Sequence, residues 1–253
     1  MNSVMVRNVS IGEGMPKICV PIVEKTREEI LEVAKEILNV SADMVEWRAD
    51  WYESVIEMQK VMTLLAELRE MLADIPILFT FRTKEEGGER ELNPRAYAML
   101  NKMVIASGNI DLVDVEVFSM KNEALSIIEV AHEHGVKVVG SNHDFLKTPN
   151  KEEMIERLCY MQSIGVDIPK LAVMPQGKKD VLTLLEATEE MVSQYADRPI
   201  VTMSMSAIGA VSRITGETFG SAITFGSLRK TSAPGQIQVE ELKRILEIMH
   251  IKS

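Results

Sequence analysis

From residue 18 onward the chain alternates short, nearly continuous apolar runs with longer segments in which apolar residues recur every three or four positions. The first pattern predicts strands covered on both faces, and the second predicts helices with one buried stripe. Eight runs read as strands: ICVPIV (18–23), MVEWRAD (44–50), PILFTFRT (76–83), LVDVEVF (112–118), VKVVGSN (136–142), IPKLAVM (168–174), PIVTMSMS (199–206) and AITFGSL (222–228). Between the first two, Ile30, Leu31, Val33, Ala34, Ile37 and Leu38 form a helical stripe with Thr26 as the expected N-cap. Val239, Leu242, Ile245, Leu246 and Met249 repeat that stripe in the last helix. Eight strand–helix units at this length predict an α/β fold, a closed parallel (β/α)8 barrel, as one domain over residues 1–253. Residues 1–15, which include VMVRNVSIGEG (4–14), predict an N-terminal β-hairpin closing the barrel bottom, with Gly12-Glu13-Gly14 as its turn. An open doubly wound sheet is the competing fold, but no G-x-G-x-x-G follows the first strand.

Charged residues inside such strands are the informative exceptions. Glu46, Arg48 and Asp50 alternate with Trp47 and Ala49, so all three share one face. Thr80 and Arg82 share a face in the third run, as do Asp114 and Glu116 in the fourth. In a barrel one face of every strand points to the axis, and the C-terminal strand ends line the active-site mouth. Arg48, Arg82, Glu116, His143 and Lys170 are therefore expected to converge, although a set of internal ion pairs that merely close the barrel is the alternative for Glu46 and Arg48.

Lys170, within IPKLAVM, is the sharpest exception. Loss of hydration disfavours an ammonium group, and a neutral amine can attack a carbonyl, so a Schiff-base lysine is one reading. A lysine paired structurally with Glu116 or Glu46 is the other. His143, in GSNHDF, stands just past the fifth predicted strand and is a catalytic candidate. His132 and His134 precede Gly135 at a helix end, where capping explains them better than metal binding. Arg213, where the seventh strand turns into its helix, can clamp a carboxylate. The loop RKTSAPGQ has the composition of a mobile cover, a lid expected over residues 229–237.

Composition narrows the field. The formal net charge of −10 argues against nucleic acid or an anionic membrane as a partner. Cys19 and Cys159 show neither a disulfide framework nor metal-ligand spacing, and no stretch has the length of a membrane span. With no basic, apolar leader at the start, the expected location is the cytoplasm.

The segments FRTKEEGGE, SNHDF, IPKLAVMPQ, MSMSAIGAVSRITGETFGSAITFG and SAPGQI, in this order and spacing, resemble type I 3-dehydroquinate dehydratase, the Schiff-base dehydratase of the shikimate pathway. The resemblance runs from ICV to the final helix. It implies a hydro-lyase in which Lys170 forms an imine with 3-dehydroquinate, His143 is general acid and base, and Glu86 orients His143. It further implies that Glu46, Arg48, Arg82, Arg213, Ser232 and Gln236 bind substrate, while Met203, Met205, Phe225 and Ala233 form pocket wall. No cofactor or metal is implied, and the expected assembly is a homodimer. Pro21 stands where many members carry serine, so any polar contact there is expected to be lost. Two other readings keep the barrel: a class I Schiff-base aldolase, and a non-catalytic ligand-sensing barrel.

Overall fold

A computed structural model describes residues 2–250. The chain starts with an antiparallel hairpin of β1 (Val4–Val6) and β2 (Val9–Ile11). The eight apolar runs follow as β3 (Lys17–Ile22), β4 (Met44–Arg48), β5 (Ile77–Thr80), β6 (Leu112–Glu116), β7 (Lys137–Asp144), β8 (Ile168–Val173), β9 (Val201–Ser204) and β10 (Ile223–Ser227). Each pairs in parallel with its sequence neighbours, and β10 returns to pair with β3. Between β9 and β10 the ring is closed by a single bridge, Ile200 to Ser221, with the Ala222 amide donating to the Ile200 carbonyl at 2.8 Å. The barrel expected from periodicity is thus complete. A two-residue strand, β11 (Ile237–Gln238), adds to the C-terminal end of β10.

Helices α1 (Arg27–Ile37), α2 (Met58–Leu72), α3 (Pro94–Ala106), α4 (Lys121–Glu133), α5 (Lys151–Ser163) and α6 (Lys178–Glu190) each follow one strand. Two single-turn helices, α7 (Val211–Ile214) and α8 (Gly216–Phe219), replace a long helix after β9, and α9 (Val239–Met249) closes the series. Thr26 caps α1 in a reciprocal box with Glu29, and Ile30, Val33, Ala34 and Ile37 fill its buried stripe. Gly135 follows α4 with φ of 71°, the left-handed conformation that a helix-terminating glycine supplies. Beside it, His132 Nε2 lies 2.9 Å from Asp167 and His134 Nδ1 lies 2.9 Å from the Val130 carbonyl.

Parity divides the strands. Outward residues such as Val20, Trp47, Phe79, Val113 and Val115 pack under the helices in one continuous core. Inward residues near the strand starts, among them Cys19, Met44, Leu78, Leu112, Val139, Ile168, Val201 and Ile223, form a separate cluster that includes Val6 and Ile11 of the hairpin. The hairpin therefore stoppers the N-terminal end. Its turn is Arg7-Asn8, not Gly12-Glu13-Gly14 as expected. Arg7 takes φ of 51° there, and the glycines instead bend the chain from β2 into β3.

Above the apolar plug, the inward positions turn polar. Burying charge is costly unless it is paired, so these residues must satisfy each other or a ligand. Two strand ends move for this reason. The third predicted strand stops at Thr80 rather than Thr83, because Asp50 accepts the Arg82 amide at 3.3 Å and Glu116 accepts the Thr83 amide at 2.8 Å. Side-chain carboxylates replace the ladder there. Conversely, β7 runs on to Asp144, so His143 lies within the strand, paired with Ala172, and not just beyond it.

Candidate active site

At the C-terminal mouth a cavity is lined by Glu46, Arg48, Arg82, Glu86, His143, Lys170, Met203, Met205, Phe225, Ser232, Ala233 and Gln236. Twelve of the thirteen residues to which the resemblance gives a site role thus meet in one space, whereas Glu116, expected to converge with them, does not line it. Gly87, Phe145 and Ala172 complete the lining. Gly87, at φ of 84°, could not carry a side chain, since a Cβ would fall 2.2 Å from the Phe145 ring.

Lys170 rises from the middle of β8 and is 4% exposed. Its Nζ lies 3.3 Å from Asp114 Oδ2, 4.0 Å from Glu46 Oε1 and 4.5 Å from the centre of the Phe225 ring. Glu46 is the expected neighbour, whereas Glu116 is not one. The nearer carboxylate is Asp114, and Glu116 instead accepts from Arg82 at 3.0 Å and from the Thr83 hydroxyl at 2.7 Å. Strand stagger decides this, since Ser141 of β7 is level with Lys170 while Asp114 is level with Val139. Asp114 therefore reaches up beneath the amine.

Glu86 sits in a 3-10 turn after β5, and its Oε2 accepts the backbone amide of His143 at 3.0 Å. The same oxygen lies 2.9 Å from His143 Nδ1. Because an amide can only donate, Oε2 is an acceptor, which assigns the proton of the imidazole to Nδ1 and leaves Nε2 unprotonated. Burial, then Arg82, Lys170 and Arg48, push His143 well below its ordinary range, so the ring is neutral at physiological pH. Burial and the negative Glu116 push Glu86 up to about 8, against the pull of Arg82 and Ser119. The Ser119 hydroxyl lies 2.6 Å from Glu86 Oε1, so a proton on this carboxyl is held on the oxygen remote from the histidine. A neutral imidazole with a fixed tautomer is the form a general base needs.

The three arginines differ in what already holds them. Arg48 makes a two-pronged ion pair with Asp50, at 2.8 Å on both contacts. Arg82 donates to Asp114 at 2.8 Å, Glu116 at 3.0 Å and the Ser141 hydroxyl at 2.9 Å. Burial opposes its charge, and Asp114, Glu116 and Glu86 more than offset it. Arg213 has no carboxylate. It is 2% exposed, its Nη2 donates to the Pro234 carbonyl at 3.0 Å, its Nη1 faces the Met203 sulfur at 3.7 Å, and its Nε has no partner. Burial alone pulls it down to about 10. Arg213 lies outside the main cavity, as does Glu116. The arginine lines a separate, tightly filled pocket together with Met203, Ser212 and Thr224.

The segment 229–237 covers this side. Its Ser232 carbonyl accepts from Arg48 at 3.4 Å, and the Ser232 amide and hydroxyl clasp the Gln236 side chain at 2.7 and 2.8 Å. Outside the mouth, Lys230 meets buried Glu24, and Arg229 meets Glu32 and Glu36. The last residue of the segment, Ile237, already belongs to β11. Residues to which the sequence reading assigned no role are Ser119 and Ser141, and above all Asp114 as the partner of Lys170. Their signal was parity, since Asp114 and Ser141 lie two residues before Glu116 and His143.

Comparison with known proteins agrees with this geometry. A family model described as type I 3-dehydroquinase matches residues 18–253. A 3-dehydroquinate dehydratase of Clostridioides difficile is 52% identical over 247 residues, covering 98% of this chain and 97% of the relative. Its namesake in Listeria welshimeri is 53% identical over 250 residues, covering 99% of both. Among solved structures, the type I enzyme of Clostridium difficile, described as holding covalently modified comenic acid, superposes with a TM-score of 0.96 at 51% identity over 99% of both chains. The 3-dehydroquinate dehydratase of Geobacillus kaustophilus gives 0.95 at 37% identity over 98% of both chains.

Proposed function

The chain belongs to the type I 3-dehydroquinase family and catalyses the dehydration of 3-dehydroquinate in the shikimate pathway, and from that premise we propose which of its residues carry each step. Lys170 Nζ, as the free amine, adds to the C3 ketone, and loss of that oxygen as water leaves a protonated imine. The iminium withdraws electrons from the adjacent C2–H bond. His143 Nε2 takes the C2 proton, giving an enamine, and returns a proton to the C1 hydroxyl, which departs as water on the same face. Hydrolysis of the imine releases 3-dehydroshikimate and restores the amine. Glu86 keeps the imidazole in the tautomer that exposes Nε2.

Arg213 takes the substrate carboxylate. Arg48 and Arg82 already have carboxylate partners, so the buried guanidinium without one is where an added anion is best received. For Arg213 to reach it, Met203 has to yield. Ser232, Gln236 and Glu46 address the ring hydroxyls, Arg48 and Arg82 orient them from their ion pairs, and Met203, Met205, Phe225 and Ala233 supply apolar wall. The segment 229–237 serves as the lid of a single barrel domain, in a cytoplasmic homodimer.

The observation that carries this reading is the convergence of Lys170, His143 and Glu86 on one cavity. The covalent adduct named for the C. difficile relative agrees with a nucleophile in such a site. The test is borohydride reduction in the presence of 3-dehydroquinate followed by peptide mass analysis. A mass increase confined to the peptide containing Lys170 is expected, and an adduct elsewhere overturns the assignment.

A further inference from the structure

Asp114 is wholly buried at the level of the barrel just beneath the reacting amine, and its two oxygens are used differently. Oδ1 accepts from Arg82 Nη2 at 2.8 Å and from the Ser141 hydroxyl at 2.6 Å, which fixes the carboxylate in place. Oδ2 has Lys170 Nζ at 3.3 Å. Glu46, the other carboxylate facing the amine, is 4.0 Å away and is tied to the Thr80 hydroxyl at 2.8 Å. On conversion to an imine the lysine nitrogen loses two of its three protons and keeps one N–H and one positive charge. That N–H needs an acceptor, and Asp114 Oδ2 is the nearest carboxylate oxygen.

We propose that Asp114 is the counter-ion of the protonated imine on Lys170, a positioning residue that holds the nitrogen and its proton throughout turnover. The inference rests on the Lys170 imine proposed above. Asp114 is not the base that frees the amine. Arg82 and Lys170 keep it ionised below the usual carboxylate range despite burial, so it is a poor proton acceptor and a steady negative charge. The other charged or titratable groups around the pair are Glu46 on β4, Arg82 after β5, Glu116 on β6, His143 on β7, Tyr97 on α3, Glu86, and Cys19 on β3. Among the described residues only Asp114 stands within hydrogen-bond reach of Nζ.

The iminium is stabilised by a neighbouring carboxylate, so removing the charge lowers the pH at which the imine loses its proton. Cyanoborohydride reduces the protonated imine selectively, and trapping of the product, 3-dehydroshikimate, can be followed by intact mass over a pH series. In Asp114→Asn the alkaline fall in trapping is expected about 1 to 3 pH units below that of the parent, with kcat reduced and KM changed less. Ser141→Ala, which removes a donor to Asp114 but no charge, should leave the alkaline fall where the parent has it. Asp114→Glu should return it toward the parent.

An Asp114→Asn profile coincident with the parent overturns the proposal, as does an equal displacement in Ser141→Ala. If Asp114→Asn does not fold, Asp114→Glu decides alone: trapping that persists to the parent's pH supports a counter-ion, and trapping lost early overturns it. Failure of the underlying mechanism looks different, since the parent protein itself would then show no adduct on Lys170.

Discussion

The two walls of the barrel mouth treat a buried cation in opposite ways. On the β6–β8 wall, Lys170 is embedded in a network in which Asp114, Glu116, Arg82, Ser141, Glu86 and His143 satisfy one another at hydrogen-bond distances before any ligand arrives. On the β9–β10 wall, Arg213 is equally buried and faces only a carbonyl, a thioether and the lid. The first wall is preorganised for chemistry, where groups displaced by an ångström lose rate. The second is left incomplete, and under the proposed assignment the anion that completes it is the substrate carboxylate. Binding and bond-breaking are thus assigned to different sides of one cavity, which gives variants on each side distinct signatures.

The sharpest break of this contrast is Lys170→Ala. Turnover should fall by about 10⁴-fold or more, because the imine cannot form and the remaining groups act only with it. Calorimetric titration should still detect ligand binding through the opposite wall. If binding vanishes together with turnover, the division between walls is wrong.

His143→Ala should lower kcat by about 10² to 10⁴-fold while leaving imine formation intact, so the adduct accumulates and stays trappable. Unchanged turnover, measured as enone absorbance, would remove His143 from the mechanism.

Arg213→Met should act almost wholly on KM, raising it about 100-fold, since charge-assisted hydrogen bonds contribute about 1.5 to 3 kcal/mol each. The same substitution removes an uncompensated buried charge, so the free protein should become more stable, by about 1 kcal/mol or more. Calorimetric unfolding without ligand checks this, and a lowered melting temperature would show that Arg213 is already satisfied.

The smallest effect concerns pH. The proposed mechanism needs neutral His143, whose folded-state value is depressed by burial and by Arg82, Lys170 and Arg48. The active form is therefore present above the ordinary histidine value and lost only as pH falls well below 6.5. A profile of kcat/KM flat through that region is expected, and an acid limb centred at 6.5 would mean that these cations do not act on the ring.

Much of this was legible in the chain. Alternation of period 2 and period 3.6 yields the barrel because each strand is covered on both faces, and its exceptions identify inward charges. Legibility ended where tertiary contacts replace ladder bonds. Arg82 and Thr83 read as strand but give their amides to Asp50 and Glu116. Likewise, parity put Asp114, Glu116 and Glu46 on the inner face, but only strand stagger shows that Asp114 lies under Lys170. The helices after β9 were unreadable for another reason: α7 and α8 are four residues each, too short for a stripe. That compactness is what brings Arg213 against Met203.

The hairpin at the opposite end has a consequence for traffic. With Val6 and Ile11 seated among the lowest inward side chains, and Arg7 tethered to Asp111 at 2.5 Å, the barrel is a blind well. Two molecules of water are shed per substrate, one in forming the imine and one in the elimination, and one is taken back for release. All of them share the mouth with the substrate and the product, so if segment 229–237 acts as the proposed lid, it also times the passage of solvent.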